Sequence, residues 1–351
     1  MFERLDRRLA PPSHESAHRM FRAAARIDAL SGWWEGYRAA APHGLSRLAD
    51  DAVAAGADAS ARISRRGFQK LPGTVDRGES MVTAAVRSGC EAALREVVDR
   101  HAALPPCEAT LLSLHAALFS ASPADAPIRG RYRAAGARDG TLQRWGLEPT
   151  ALRISSPTVA PGETAFLLSW TASRLSDPGG PHPLQVIAAC LLEFLAIQPF
   201  SDGNGRMARL LATLLLLRSG YGFAAFSPID AVLHPRQDEA LIALRKSQAT
   251  RNTPKPDITP WLFAFLDIVD GAADALKRRL LQAAPARALS GNQERALALA
   301  VRHGEVTNRR LAETLGLPRE TAKQTLGRLV ELGLLERLGQ GRAARYRRPP
   351  A

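Results

Sequence analysis

Cysteine is scarce. Of 351 residues only Cys90, Cys107 and Cys190 carry thiols, and their wide spacing offers neither a disulfide framework nor a paired metal-ligand motif. They read as reduced residues of a cytoplasmic protein. Long apolar runs are missing too: Leu210 to Leu217 falls far short of the ~20 residues a membrane helix needs. Met1-Phe2-Glu3-Arg4-Leu5-Asp6 has no apolar core of signal-peptide type, so no membrane partner is expected. Aromatic residues make up only 6%, yet 46% hydrophobic content suffices for two or three domains with cores and argues against general disorder. Acidic residues are outnumbered 34 to 47 by Lys and Arg, giving a net charge of +13 and inviting a polyanionic partner. Nearly all of that positive charge is arginine in an alanine-rich chain, as a GC-rich genome encodes by default. Charge alone does not establish nucleic-acid binding.

Helical spacing of apolar residues predicts helices from Glu15 to Arg38 and from Leu45 to Ile63, divided at Ala41-Pro42-His43-Gly44. Ser64 to Gly78 reads as a loop. Further helices are expected at Glu79 to Ala103 and Cys107 to Leu118, with the break at Pro105-Pro106. Between Pro123 and Pro181 glycine and proline are scattered through β-prone pieces, and Leu152 to Phe166 is expected to form a small hairpin. Pro183 to Ala196 and Gly205 to Leu217 are apolar on more than one face, as buried central helices are. Helices at Arg236 to Ala249 and Pro260 to Leu281 follow, then a linker. The expected domains are 1–103, an N-terminal helical region; 104–282, a helical core; 283–290, the linker; and 291–351, a compact terminal module.

The break between the two central helices carries the chemistry. In Asp202-Gly203-Asn204-Gly205-Arg206 the glycines let successive N–H groups aim at one point, and the helix that starts there adds unsatisfied donors and a positive dipole end. Arg206 and Arg209, three residues apart, lie on one side of that helix, where two guanidinium forks can hold separate phosphates. Asp202 can hold the Mg²⁺ that accompanies nucleotide phosphates. Taken alone, Gly-Asn-Gly also suits a polar turn capped by Asn204 or Asp202.

The longer segment Gln198-Pro199-Phe200-Ser201-Asp202-Gly203-Asn204-Gly205-Arg206-Met207-Ala208-Arg209 closely resembles the signature of the Fic family, His-x-Phe-x-(Asp or Glu)-Gly-Asn-Gly-Arg-x-x-Arg. His182-Pro183-Leu184 and Asp257-Ile258-Thr259-Pro260-Trp261-Leu262 look like flanking features, and the similarity covers roughly Leu104 to Leu281. The resemblance implies a mainly α fold, a Fic-type helical bundle with a small β-hairpin flap, and transfer of AMP from ATP to hydroxyl side chains of an unidentified target protein. It implies that Asp202 binds Mg²⁺, that Phe200, Gly203, Asn204 and Gly205 form the loop cradling the α- and β-phosphates, and that Arg206 and Arg209 hold the outer phosphates. The segment from Leu152 to Phe166 occupies the place of the family's flap.

The first signature position departs from the pattern. Gln198 stands where the family has its general-base histidine, and a glutamine amide can orient a hydroxyl but cannot take its proton. Three readings compete: a nucleotide-binding pseudoenzyme, a transferase that tolerates the substitution because positioning and charge dominate phosphoryl-type transition states, and a product with no selected role. Many family members also carry a Ser-x-x-Ile-Glu-Gly-like helix whose glutamate pairs with the second arginine. The nearest match, Ser60-Ala61-Arg62-Ile63-Ser64-Arg65, has serine at the glutamate position, so this brake is expected to be absent or elsewhere and Arg209 free for a triphosphate. Of the other histidines, His115 reads as a core or surface residue and His182 as a packed neighbour of the loop.

From Gly291 onward, helices at Asn292 to Arg302, Thr307 to Leu315 and Pro318 to Leu332 have helix-turn-helix spacing, with Gly316 in the tight turn. Leu334 to Arg337 and Ala344 to Arg347 flank Gly339-Gln340-Gly341 as a two-stranded wing, so the module resembles a winged helix. Gln293 to Ala351 holds 12 basic and 6 acidic residues, a net of +6. The resemblance implies DNA as a partner: Arg319, Thr321, Lys323, Gln324 and Arg328 would face bases and phosphates from the third helix, and Arg342, Arg345 and Arg347 would lie over the backbone. Winged helices also serve protein docking and dimerisation, so a homodimer is a further expected assembly.

Overall fold

The computed structural model describes residues 5–9, 13–40, 45–68, 76–134, 154–287, 289–339 and 344–349. The chain divides into two compact units, one made of Met1–Tyr37 and Leu48–Lys277, the other of Arg38–Arg47 and Arg278–Ala351. Three long helices open the chain: α1 (His14–Ala40), α2 (Leu45–Phe68) and α3 (Asp76–Arg100). They are followed by α4 (Glu108–Leu118), α5 (Ala160–Leu175), α6 (Pro183–Ile197), α7 (Asn204–Arg218), α8 (Ile229–Leu233), α9 (Gln237–Ala249) and α10 (Thr259–Arg287). No described helix is long and apolar enough to cross a membrane.

At the centre of the first unit lies the pair α6 and α7. Every residue of α6 from Leu184 to Phe194 is buried, as are Leu210 to Leu217 of α7. A helix apolar on all sides has no face to offer water and must sit inside. α6 packs against α5 and α7, while α4 lies against α3 and α7. His182 caps α6 by accepting the Leu184 N–H at 3.3 Å, and Pro183 occupies the first turn, where its missing donor costs nothing. Glu193, the one acidic residue of α6, is 2% exposed and tolerated because Arg8 and Arg251 both pair with it.

Several sequence expectations need correction. Ala160 to Phe166 belongs to α5, so the second arm of the expected hairpin is helical, and its first residues, 152 and 153, lie outside the described residues. Pro161-Gly162 reads as a turn in sequence, yet proline also fits the first turn of a helix, and Thr164 and Thr171 settle their hydroxyls on the carbonyls of Ala160 and Leu167. Among the described residues, the sheet lies in the other unit. α2 continues to Phe68, and α3 begins at Asp76, so much of the expected loop from Ser64 to Gly78 is helical. α10 likewise runs through the first part of the expected linker to Arg287. The break at 41–44 lies outside the described residues.

The second unit contains α11 (Gly291–His303), β1 (Glu305–Thr307), α12 (Asn308–Leu315), α13 (Arg319–Glu331), β2 (Glu336–Leu338) and β3 (Arg345–Arg347). Ser290 and Gln293 form a reciprocal capping box at the start of α11. Thr307 caps α12 by accepting from Arg310 N–H at 3.2 Å. Gly316, at φ 62°, ends α12 in a left-handed cap that most side chains would resist. The strands form an antiparallel sheet in the order β1-β3-β2, with Val306 opposite Tyr346 and Arg337 opposite Tyr346 on the other side. β1 has no counterpart in the sequence reading, because three residues are too few to show a strand period. Ala300, Val306, Leu311, Ala322, Leu326, Leu329 and Tyr346 make this unit's core.

Candidate functional site

α6 ends on Gln198, whose φ of 54° is the one left-handed backbone angle of a non-glycine residue among those described. Glycine is the usual residue in this conformation, and a side chain there costs on the order of 1 kcal/mol. The chain then passes through Pro199 and a fully buried Phe200 into a loop tied at several points. Asn204 accepts the Phe200 N–H at 3.0 Å and donates its own amide to the Phe200 carbonyl at 2.7 Å, closing the loop on itself. Gly203 sits at φ 82°, and a Cβ there would come within 2.9 Å of the Phe119 ring. As N-cap of α7, Gly203 supplies no capping side chain. The first N–H groups of α7 therefore remain available to an anion at the positive end of the helix.

His115 braces this loop from α4. Its ring stacks on Phe200 with centroids 3.8 Å apart, Nε2 lies 3.1 Å from the Asp202 carbonyl, and the Gly130 N–H donates to Nδ1 at 3.1 Å. An amide N–H can only donate, so Nδ1 accepts and Nε2 carries the proton: the ring is the neutral Nε2–H tautomer. Burial lowers its pKa from 6.5 to about 4, aided by the charge on Arg206. Arg133 holds the near side, its backbone N–H donating to the Pro199 carbonyl at 2.9 Å and its guanidinium to the Ile197 carbonyl at 3.3 Å. Tyr132 stacks on Phe200 as well.

The two arginines of α7 differ. Arg206 lies over the Phe119 ring, 4.5 Å from its centroid, with Nη2 3.6 Å from an Asp202 oxygen. Arg209 is engaged at all three nitrogens: Nε to Asp230 at 2.5 Å, Nη1 to the Gly205 carbonyl at 3.0 Å and Nη2 to the Ser60 hydroxyl at 2.7 Å. The expectation of a free Arg209 is therefore corrected. Ser64, at the glutamate position of the α2 motif, bonds back to the Ser60 carbonyl at 2.9 Å, and the carboxylate arrives from α8 instead.

Asp202 Oδ1 accepts the Gly203 N–H at 2.6 Å, and the side chain is 28% exposed. Among the described residues no cluster of three or more His, Cys, Asp or Glu side chains is present. Mg²⁺ in nucleotide sites is held by one or two carboxylates and the phosphates, so a single accessible carboxylate beside a helix N-terminus fits that ion.

An apolar cavity of about 140 Å³ adjoins the loop, reaching Gly205, Arg209 and Gln198 and walled by α6, α7, α9 and α10 through Leu195, Leu241, Leu244, Trp261 and Phe265. Gln198 donates its amide to the Leu195 carbonyl at 3.1 Å, while its Oε1 has no partner among the described residues. The Oε1 atoms of Gln237 and Gln248, which line the same cavity from α9, are likewise buried and without a partner among the described residues. A ligand with N–H donors would satisfy them. His182, expected beside the loop, caps the opposite end of α6 and bonds Asp28 at 3.1 Å.

In the second unit, α13 exposes Arg319, Lys323, Gln324 and Arg328 and half-exposes Thr321. Lys323 pairs with Glu320 and Arg328 with Glu331, while Arg345 pairs with Glu305 and Arg347 with Glu336. Arg342 lies outside the described residues.

A helical bundle whose two central helices meet at a tied, glycine-bearing loop defines the class of this site. Residues 105–216 match the model of the Fic/DOC family, and this segment is a Fic/DOC domain. The protein adenylyltransferase Fic of Aedes aegypti is 40% identical over 63 residues, 17% of this chain and 13% of that protein. Its counterpart in Nematostella vectensis is 42% identical over 52 residues, 15% of this chain and 12% of that protein. The chain thus spans about an eighth of the length of these curated relatives. The crystal structure of a Fic family protein from Desulfovibrio desulfuricans shares the fold at a TM-score of 0.56 and 22% identity, covering 97% of this chain and 99% of that one. A Fic domain containing signaling protein from Bacteroides thetaiotaomicron aligns at 0.53 and 19% identity, covering 72% of this chain and 96% of that one.

Proposed function

We propose that the loop from Phe200 to Arg209 binds Mg-ATP, and that the chain keeps the nucleotide site of a protein adenylyltransferase while transferring AMP poorly or not at all. The side chain at position 198 carries this reading. Adenylyl transfer forms a bond from a target hydroxyl to the α-phosphorus, expels pyrophosphate and must place the hydroxyl proton elsewhere. Gln198 Oε1, unpartnered among the described residues, can accept a hydrogen bond from that hydroxyl and orient it, but an amide does not take the proton at neutral pH. His115 is no substitute, since both ring nitrogens already hold the loop in place. Loss of a general base costs roughly 10² to 10⁴ in rate.

In this reading the loop from Gly203 to Gly205, through the Asn204 and Gly205 N–H groups, and the α7 dipole bind the phosphates, Arg206 pairs with them, Asp202 holds Mg²⁺, and the adjoining cavity takes the base. Bound Mg²⁺ would neutralise charge on the phosphate oxygens. The names of the relatives support ATP as the ligand. Incubation with ATP labelled in the α-phosphate tests the proposal: wild type leaves lysate proteins and itself unlabelled or nearly so, and Gln198→His gains labelling that Arg206→Ala abolishes. Clear labelling by wild type that is lost on Arg206→Ala would overturn it.

Residues 104–282 are read as the Fic core and 291–351 as a winged helix. A DNA-binding role for the latter is favoured by the exposed Arg319, Lys323 and Gln324 on one helix and by ion pairs that are all at the surface. Exposed pairs are worth about 0–1 kcal/mol, so phosphates can displace their carboxylates. On this reading nucleotide occupancy in the core would tune DNA occupancy.

A further inference from the structure

Residues 5–9 form a single turn, in which the Arg8 N–H donates to the Leu5 carbonyl at 3.1 Å and the Leu9 N–H to the Asp6 carbonyl at 2.9 Å. The turn is seated on α5, α6 and the residues that follow α9, and side chains hold it there. Asp6 accepts from three donors of α5: the Trp170 indole N–H at 2.9 Å, Arg174 Nε at 2.9 Å and Arg174 Nη2 at 2.6 Å. Arg8, 1% exposed, pairs with Glu193 of α6 and donates to the Arg251 carbonyl at 3.1 Å. Gln185 of α6 donates its amide to the Leu9 carbonyl. Leu5 and Leu9 are buried, Leu5 beside Phe166, Leu167 and Ile197.

A groove made only for stability would be apolar, because a buried ion pair gains little over well-packed hydrophobic residues of the same volume. This one is polar where it is deepest. Trp170, Glu193 and Gln185 are 0%, 2% and 6% exposed, and each offers a hydrogen-bonding group to the segment. Without an occupant, the Trp170 and Gln185 donors lose these acceptors and Glu193 keeps only its pairing with Arg251. The groove thus reads an order of charges: an acidic residue, a basic one two positions on, and a leucine outside each.

We propose that the groove on α5 and α6 is a docking site for a short peptide of the pattern Leu-Asp-x-Arg-Leu, and that residues 5–9 fill it in cis as a built-in ligand, displaced by a partner protein's segment of the same chemistry. The occupant's chemistry is read from the segment already seated there, so the proposal does not rest on the nucleotide reading. Tethered close to the start of α1, the segment competes at an effective concentration on the order of mM. A free peptide therefore gains access when the anchors of the tethered one are weakened.

The test is fluorescence anisotropy of a labelled synthetic peptide spanning Phe2 to Pro12, titrated with the full chain. Wild type, its groove filled, is expected to bind the peptide weakly. The double variant Asp6→Ala, Arg8→Ala, which removes both charged anchors of the tethered segment, is expected to bind it about tenfold more tightly. Peptides that themselves carry Asp6→Ala or Arg8→Ala should bind this variant about tenfold more weakly than the parent peptide. Should the double variant fail to fold, Asp6→Asn is expected to give a gain of about threefold over wild type with the same discrimination between peptides. No gain over wild type in a folded variant, or a gain indifferent to Asp6 and Arg8 of the peptide, would overturn the docking site and leave residues 5–9 as core packing alone.

Discussion

His115 donates from Nε2 to the carbonyl of Asp202 at 3.1 Å, linking α4 to the residue proposed to hold Mg²⁺. The same ring is stacked on Phe200 and receives the Gly130 N–H, so one imidazole spans three segments distant in sequence. The loop's shape is thus fixed from outside itself.

That brace has a pH signature. The folded pKa is about 4 against an ordinary 6.5, so between these values the unfolded chain binds a proton that the folded chain refuses. Above pH 6.5 the residue contributes no pH dependence. As pH falls from 6.5 towards 4, stability drops by on the order of 3 kcal/mol, then levels. Urea unfolding of wild type and His115→Gln across this window measures it: the variant should lose most of the slope.

Removing the brace should also reach the ligand. His115→Ala deletes a buried stacked ring and two hydrogen bonds, and is expected to destabilise the fold by about 2–4 kcal/mol. ATP affinity should fall about tenfold through loss of loop order. Unchanged affinity in a well-folded variant would mean that the loop holds its shape unaided.

Gly203→Ala tests the loop from within. The new methyl would meet the Phe119 ring at 2.9 Å in a backbone conformation with φ 82°. A loss of about 1–3 kcal/mol in stability is expected, with weaker nucleotide binding than the parent. Thermal unfolding and calorimetry read the two effects separately.

For the C-terminal unit, fluorescence anisotropy with duplex DNA should show affinity falling steeply with salt. Lys323→Ala is expected to lower the slope of log affinity against log salt by about 1. Arg319→Ala should behave alike if it contacts phosphate, and should instead relax sequence preference if it contacts a base. Salt-independent binding, or none, removes DNA from the account.

Central helices α6 and α7 were legible because apolar residues on more than one face of a helix have few other meanings, and the loop because glycine, asparagine and arginine at that spacing serve few purposes. Helix α5 was hidden by Pro161-Gly162, which signals a turn equally well. His115, Arg133, Ser60 and Asp230 could not be found from spacing. His115, Arg133 and Ser60 act across more than 50 residues of sequence and Asp230 across 21, and only the packing of the helices brings them together. Asp230 belongs to no motif among Pro228, Ile229 and Ala231, yet it is 6% exposed.

The central claim, that this loop holds a nucleotide through Arg206, is tested most directly by titrating the full chain and its Arg206→Ala variant with adenine nucleotide and Mg²⁺ in a calorimeter. Saturable one-to-one binding by wild type, weakened about 10- to 100-fold in the variant with its fold retained, is the predicted result. No binding by wild type, or equal binding by both, would contradict it.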